Sequence, residues 1–139
     1  MENFKFEELK IGQTAEITLS VNDQDIDQFA QLSGDYSEVH CSQDFAQKKG
    51  FPNRIGHGML AGAYASQLIG MKLPGKRGVL QSMDLKFRKP FFPGDVLRVM
   101  GEIQDMIESV RVVKIKIKIL NQNDDVVCSG IAQSGVGDE

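Results

Sequence analysis

The clearest pattern along this chain is an alternation of apolar and lysine residues in its second half. Between Val113 and Ile119, four β-branched residues alternate with three lysines. An alternation with a period of two predicts a strand with one buried face and one solvated face, which is typical of antiparallel sheet. Similar β-rich segments predict further strands, so that the full set covers residues 15–21, 79–89, 96–107, 110–121 and 126–136.

The first half of the chain shows helical periodicity instead. Asn22, followed by two aspartates, predicts an N-terminal cap, and the apolar residues Ile26, Phe29 and Ala30 predict a helix that stops at Gly34. A second short helix is expected from Ser42 to Lys49, with Ser42 as its cap and Gly50 as its stop.

The segment from His57 to about Met71 is apolar on almost every side and rich in glycine and alanine. A helix that is hydrophobic all round is buried. One buried helix with five or six antiparallel strands predicts an α+β fold in which the sheet wraps around the helix. At 139 residues and 15.4 kDa, we expect a single domain spanning residues 1–139.

Composition excludes several classes of protein. A hydrophobic share of 41%, with 14 glycines in addition, is that of a globular chain rather than a disordered one. A net charge of −3 argues against nucleic-acid binding, although it leaves room for a local basic patch that binds a small anion. Cys41 and Cys128 show no disulfide or metal-site spacing, and no secretory or membrane-spanning segment is evident. We therefore expect a cytoplasmic protein that binds neither nucleic acid nor membrane.

Only two histidines are available for acid–base chemistry. His40 follows Asp35 by five residues, in what we expect to be a loop, and this separation lets the two side chains converge. A histidine–carboxylate pair can activate one water molecule at neutral pH. On spacing alone, the alternative stays open that Asp35 only satisfies turn amides and that His40 is simply solvated. Glu38 is a second carboxylate near His40, and we expect it to be exposed.

The start of the buried helix offers a different chemistry. The partial positive charge of a helix N-terminus disfavours an imidazolium at His57. The N–H of Gly58 is the most approachable unpaired amide there and could hold an oxyanion, unless Gly58 serves packing alone. Ser66, two turns later, either lines a site or bonds back to the Gly62 carbonyl. No metal-ligand cluster, P-loop or dinucleotide-binding loop is present, so we expect neither a metal nor a separate cofactor.

At these residues the chain resembles the MaoC-like, (R)-specific enoyl-CoA hydratases of the hotdog fold. The resemblance implies a dimer with its active site at the subunit interface. It also implies that Asp35 and His40 form the catalytic dyad, that the Gly58 N–H binds the thioester oxygen beside His57, and that Ser66 supports the site. The implied reaction adds water to a trans-2-enoyl thioester, in which coenzyme A or an acyl carrier is part of the substrate. The residues that carry the resemblance, in chain order, are 29–30, 32–35, 40, 45–46, 50–51, 55, 57–60, 66, 73–75, 87 and 93–95.

One departure from the family pattern leaves other functions open. The family usually has Gly-Asp-x-Asn-Pro-x-His, whereas Ser37 and Glu38 replace the Asn and the Pro here. Ser37 can still form hydrogen bonds in the turn, but Glu38 removes the rigidity of proline and adds negative charge close to His40. A hotdog thioesterase is one alternative, against which the acid-free central helix argues. A non-catalytic acyl-thioester-binding module is the other, and only Glu38 favours it.

Overall fold

Five antiparallel strands form one sheet in the computed structural model, which describes residues 1–139. The order of strands across the sheet is β1-β3-β4-β5-β2, so β1 and β2 are the two edges. The strands are β1 (Thr14–Ser20), β2 (Gly78–Phe87), β3 (Val96–Ile107), β4 (Val112–Leu120) and β5 (Val126–Val136).

The alternation that predicts β4 corresponds to the two faces of the sheet. Ile115, Ile117 and Ile119 are completely buried, while Lys116 and Lys118 between them are exposed. The isoleucines join the main hydrophobic core. Burial of each isoleucine side chain contributes roughly 1.5–3 kcal/mol to folding, so this strand anchors the sheet.

Four helices connect and fill the sheet, and their ends follow local capping rules. The Asn22 side chain accepts a hydrogen bond from the Asp25 amide at 2.8 Å, and Ser42 accepts one from Phe45 at 3.1 Å. Gly34 ends the first helix with φ +76°, a left-handed conformation that glycine adopts without strain. The helices are α1 (Asp23–Ser33), α2 (Glu38–Cys41), α3 (Gln43–Lys48) and α4 (Gly58–Met71).

Helix α4 lies in the concave side of the sheet. It packs against β3 and against both edge strands, β1 and β2, so the sheet must curve around it. At Gly101 of β3, an added Cβ would lie 2.8 Å from Leu68 Cδ2, so glycine permits this close approach of helix and strand. The predicted α+β class and hotdog arrangement are confirmed. None of the helices is long and apolar enough to cross a membrane.

Three differences from the sequence expectations exceed a shift of one residue. The segment around His40 is not a loop but the one-turn helix α2, which is too short to give a periodic pattern. Strand β2 ends at Phe87 rather than Lys89, because the amides of the next two residues both turn to the Val127 carbonyl. Strand β4 begins at Val112 rather than Val110, because residues 108–110 form a 3-10 turn and Arg111 adopts φ +52°.

Candidate active site

Asp35 and His40 face each other across the turn between α1 and α2. The distance from Asp35 Oδ2 to His40 Nε2 is 3.9 Å, which is too long for a direct hydrogen bond. If a water oxygen lay about 2.8 Å from each of these two atoms, the angle at the oxygen between Asp35 Oδ2 and His40 Nε2 would be about 90°. The gap therefore suits a water molecule that donates one proton to each group.

The Asp35 carboxylate is oriented by Ser37. The Ser37 amide and hydroxyl both donate to Asp35 Oδ1, at 3.1 and 2.6 Å. These two hydrogen bonds are the largest cause of a pKa for Asp35 below its usual value of 3.8. They leave Oδ2 free and keep the group ionised, so Ser37 takes over the hydrogen-bonding role expected for the Asn of the family pattern.

The His40 ring is held by a carbonyl oxygen. Its Nδ1 lies 2.8 Å from the carbonyl of Ile55, and because a carbonyl only accepts, Nδ1 must be the protonated nitrogen. Nε2 then has a free lone pair and points toward Asp35. In this state both members of the pair are proton acceptors.

His57 is buried directly behind the pair. It is 2% exposed and precedes α4 as its N-terminal cap residue. Its Nε2 donates to the Asp35 carbonyl at 3.0 Å, and its ring stacks on His40 with centroids 4.0 Å apart and planes at 24°. The side chain thus contacts both residues from behind and does not line the cavity that His40 borders. A role of His57 in binding the thioester stays a prediction, and within one chain its side chain contacts the pair rather than the cavity.

Gly58 lies at the first turn of α4 and borders the same cavity as His40. The cavity has a volume of about 350 Å³. The Gly58 N–H, at the N-terminus of α4, has no hydrogen-bond partner in the chain. A Cβ added at Gly58 would lie 3.2 Å from three atoms of the Phe87 ring. Glycine therefore permits the close approach of the Phe87 ring to the start of α4. The walls are largely aromatic and apolar, with Phe51, Ile55, Ala61, Phe87, Pro90, Phe91 and Val127.

Ser66 is not brought to the pair within one chain. It is exposed, and it lies eight residues after Gly58, about 12 Å along the helix. Its hydroxyl does not bond back to the Gly62 carbonyl, which was the alternative to a site role. A contribution of Ser66 to the site stays a prediction that depends on a second subunit.

Arg54 is a residue of this region that sequence reasoning missed. Its guanidinium, 11% exposed, pairs with Asp23 at 2.9 Å and Asp27 at 2.6 Å, and it donates to the His40 carbonyl at 3.3 Å. It thereby ties α2 to α1. The only available signal was an arginine with two aspartates about thirty residues upstream, which spacing alone does not connect.

Glu38 occupies a position where its replacement of proline is structurally tolerable. It is the first residue of α2 and is exposed, and it forms no ion pair with His40. Proline is favoured at the first helical position, and an acidic residue is also favourable there because of the helix dipole. The turn that holds His40 therefore forms without the proline.

Asp35, His40 and His57 are close enough together to suggest a metal site, since one ligand atom from each lies within 4.8 Å of the others. The geometry of the two rings argues otherwise. Metal ions bind imidazole in the ring plane, and stacked rings direct their lone pairs side by side rather than toward one ion. The arrangement suits proton transfer better than metal binding.

Comparison with known proteins identifies the family. A model of the MaoC like domain matches residues 6–123. This chain belongs to the MaoC-like family. It is 32% identical over 127 residues to a 3-hydroxybutyryl-CoA dehydratase of Methylorubrum extorquens, covering 91% of this chain and 80% of the relative. It is 30% identical over 124 residues to an (R)-specific enoyl-CoA hydratase of Aeromonas caviae, covering 89% of this chain and 92% of the relative.

A solved structure shows the same fold over nearly the whole chain. The unliganded R-hydratase of Pseudomonas aeruginosa superposes with a TM-score of 0.93 at 34% identity, covering 99% of this MaoC-like chain and 88% of that chain. These relatives are named as hydratases or as a dehydratase. The enzyme class expected from the sequence, a hydro-lyase, is confirmed at this level.

Proposed function

We propose that this MaoC-like protein adds water reversibly to trans-2-enoyl thioesters and forms (R)-3-hydroxyacyl thioesters. The observation that supports this most directly is the 3.9 Å separation of Asp35 Oδ2 and His40 Nε2, beside a cavity that Gly58 also borders. The thioester substrate and the stereochemistry are taken from the names of the related (R)-specific enoyl-CoA hydratases. Coenzyme A or an acyl carrier is part of the substrate, and no separate cofactor takes part.

The reaction follows from the proton acceptors of the site. A water molecule between Asp35 and His40 loses a proton as its oxygen bonds to the β-carbon of the enoyl group. The electron pair of the double bond moves toward the thioester carbonyl and forms an enolate. The Gly58 N–H stabilises the developing charge on that oxygen, and the α-carbon then takes up the proton. All atoms of the water end in the product.

Within this pair we assign His40 as the base. The hydrogen bonds from Ser37 lower the pKa of Asp35 and so make its carboxylate a weak proton acceptor. Imidazole accepts protons readily near neutral pH, and the Nε2 lone pair of His40 faces the gap. Asp35 would orient the water by accepting its second hydrogen bond.

A direct test uses crotonyl-CoA and a longer 2-enoyl-CoA with the wild-type protein. The proposal predicts loss of the conjugated enoyl-thioester absorbance without release of thiol, and an (R)-3-hydroxyacyl product by chiral analysis. Release of free thiol with the alkene intact would instead indicate a thioesterase. Tight binding of the thioester with neither reaction would indicate the non-catalytic binding module.

We also propose that a second copy of the chain completes the site. The two edges of the sheet differ, since the exposed positions of β1 are polar, whereas β2 exposes Val79, Leu80 and Phe87 at 67%, 41% and 53%. An unpaired apolar edge strand favours pairing with another strand. Asp35, at 46% exposure, and Ser66 would then be covered by the partner. Light scattering should give twice the 15.4 kDa mass, and a mass of one chain at micromolar concentration would contradict a shared site.

The cellular setting is part of the same proposal. We place the protein in the reducing cytoplasm, where the exposed Cys41 and the buried Cys128 would remain free thiols. Cell fractionation with an antibody to the protein tests this location.

A further inference from the structure

A second concave surface lies on the opposite side of the sheet from α4. It is a groove of about 640 Å³, lined by residues of β2, β4 and β5, by Gln104 of β3 and by the segment that follows β2. Its β4 lining includes Lys116 and Lys118, which are exposed and alternate with the buried isoleucines, so the groove lies on the outer face. We call this surface the outer groove. The outer groove and the Asp35–His40 pair are therefore on different faces of the sheet.

The outer groove concentrates positive charge in an acidic protein. Five of the chain's 16 lysine and arginine side chains line the groove. Of the chain's 19 aspartates and glutamates, only Asp84 lines it. Lys89 is paired with Asp125 at 3.4 Å. The other four cations have no carboxylate within 4.0 Å, although Glu102 of β3 is opposite Lys116 in the strand register. The five cations are Lys86, Arg88, Lys89, Lys116 and Lys118.

Strand register brings these cations together around one hydroxyl group. Lys118 of β4 is opposite Ser129 of β5, and Ser129 is opposite Lys86 of β2. Arg88 approaches from the end of β2 and donates from its Nε to Ser129 Oγ at 3.1 Å. Like charges at neighbouring strand positions repel each other. An anion with several charges would offset this repulsion and bind several cations at once.

The outer groove and the cavity beside His40 lie on either side of the end of β2. Arg88 and Lys89 line both of them. Phe87 faces the start of α4 on the inner side, and Arg88 turns to the outer side. A molecule whose reactive end lies near Gly58 can therefore pass the end of β2 and place a distant charged end in the groove.

We infer that the outer groove binds the phosphate groups of the coenzyme A part of the substrate. This inference rests on the proposed function, because it assumes that an acyl thioester occupies the cavity beside His40. Coenzyme A is a flexible arm with its thioester at one end and three phosphate groups toward the other. Phosphates suit a cluster of lysines with an arginine whose guanidinium is free to form paired hydrogen bonds.

The test measures binding of coenzyme A and of pantetheine, which has the same arm without phosphate, by calorimetry. The variants are Lys116→Gln with Lys118→Gln, and Arg88→Gln alone. Lys114→Gln is the matched control, since Lys114 lies on the same strand and the same face but does not line the groove. Dephospho-coenzyme A and 4′-phosphopantetheine are added as ligands to locate which phosphates the groove binds.

The inference predicts that the double lysine variant binds coenzyme A about tenfold more weakly than wild type and that Lys114→Gln binds it as wild type does. Added salt should weaken binding strongly in wild type and in Lys114→Gln, and less in the double lysine variant. The preference for coenzyme A over pantetheine should shrink by the same factor. Equal affinity for coenzyme A in wild type and the lysine variants would overturn the inference.

Failure of the proposed function gives a different result. If coenzyme A binding depends on Lys116 and Lys118 but crotonyl-CoA is not hydrated, the phosphate site is supported and the hydratase proposal is wrong. If crotonyl-CoA is hydrated and the lysine variants bind coenzyme A as wild type does, the hydratase proposal is supported and the phosphate site is wrong.

Discussion

The ring of His57 stacks on the ring of His40, with centroids 4.0 Å apart, while its Nε2 donates to the carbonyl of Asp35 at 3.0 Å. One buried side chain therefore contacts both members of the proposed dyad. Phe29 packs on the same ring at 4.8 Å and helps to fix it. The spacing of the Asp35–His40 pair depends on this support from behind as well as on the turn itself.

Two substitutions separate the contributions of the stack and the hydrogen bond. His57→Phe keeps a flat ring against His40 but loses the donor to Asp35, whereas His57→Gln keeps an N–H donor but loses the ring. We expect each to lower kcat about tenfold with little change in KM, because each loosens one member of the pair. His57→Phe should fold stably, since it removes the unpaired, buried Nδ1. Wild-type kcat in both folded variants would show that His57 has no positioning role.

Ser37→Ala tests the electrostatics of Asp35. Without the Ser37 hydroxyl, the pKa of Asp35 should rise toward its usual value, because the strongest of the bonds that lower it is lost. Asp35 then becomes protonated at higher pH, so the titration of its carboxyl carbon, followed by NMR, should move to higher pH. Ser37→Asn, which restores the residue usual in the family, should keep this titration near its wild-type position. An unshifted Asp35 titration in Ser37→Ala would contradict this role.

Gly58→Ala tests the amide at the start of α4. The added methyl would lie against the Phe87 ring at 3.2 Å and crowd the approach to the N–H, so we expect kcat to fall tenfold or more, by about 1.4 kcal/mol of transition-state stabilisation. Gly70→Ala on the same helix is the control, because a Cβ there meets no atom within 4 Å. It should leave activity unchanged and raise stability by up to about 1 kcal/mol. Equal activity of the two variants would remove Gly58 from the mechanism.

How much of this arrangement the sequence predicts depends on the range of the interactions. The alternation of β4 and the caps at Asn22 and Ser42 are local, and the structure confirms them. Helix α2 is one turn long, and it is held by Arg54 and by the Ile55 carbonyl, which lie 14 and 15 residues away from His40. The stacking of His57 on His40 likewise requires α4 to be docked in the sheet. Spacing could therefore suggest that Asp35 and His40 converge, but not how their atoms are oriented.

Arg54→Met tests the ion pairs that hold α2. Loss of a nearly buried guanidinium with two carboxylate partners should lower the free energy of unfolding by roughly 1–3 kcal/mol, measured by urea denaturation. Arg98→Met is the control, since its pair with Asp124 is exposed and should contribute less than about 1 kcal/mol. The hydrogen bond from Arg54 lowers the pKa of Asp27, so this stabilisation is present at neutral pH and is lost in acid. The difference between wild type and Arg54→Met should therefore narrow below about pH 4, and a constant difference would contradict the ion-pair explanation.

The most direct measurement follows the absorbance of crotonyl-CoA with wild type, Asp35→Asn and His40→Ala side by side. Asp35→Asn keeps the size of the side chain but removes its charge, and His40→Ala removes the proposed base. If the dyad activates water, wild type should hydrate the alkene, and each folded variant should be slower by about 10²–10⁴-fold. Hydration by either variant at the wild-type rate would contradict the assignment of Asp35 and His40 as the groups that activate water.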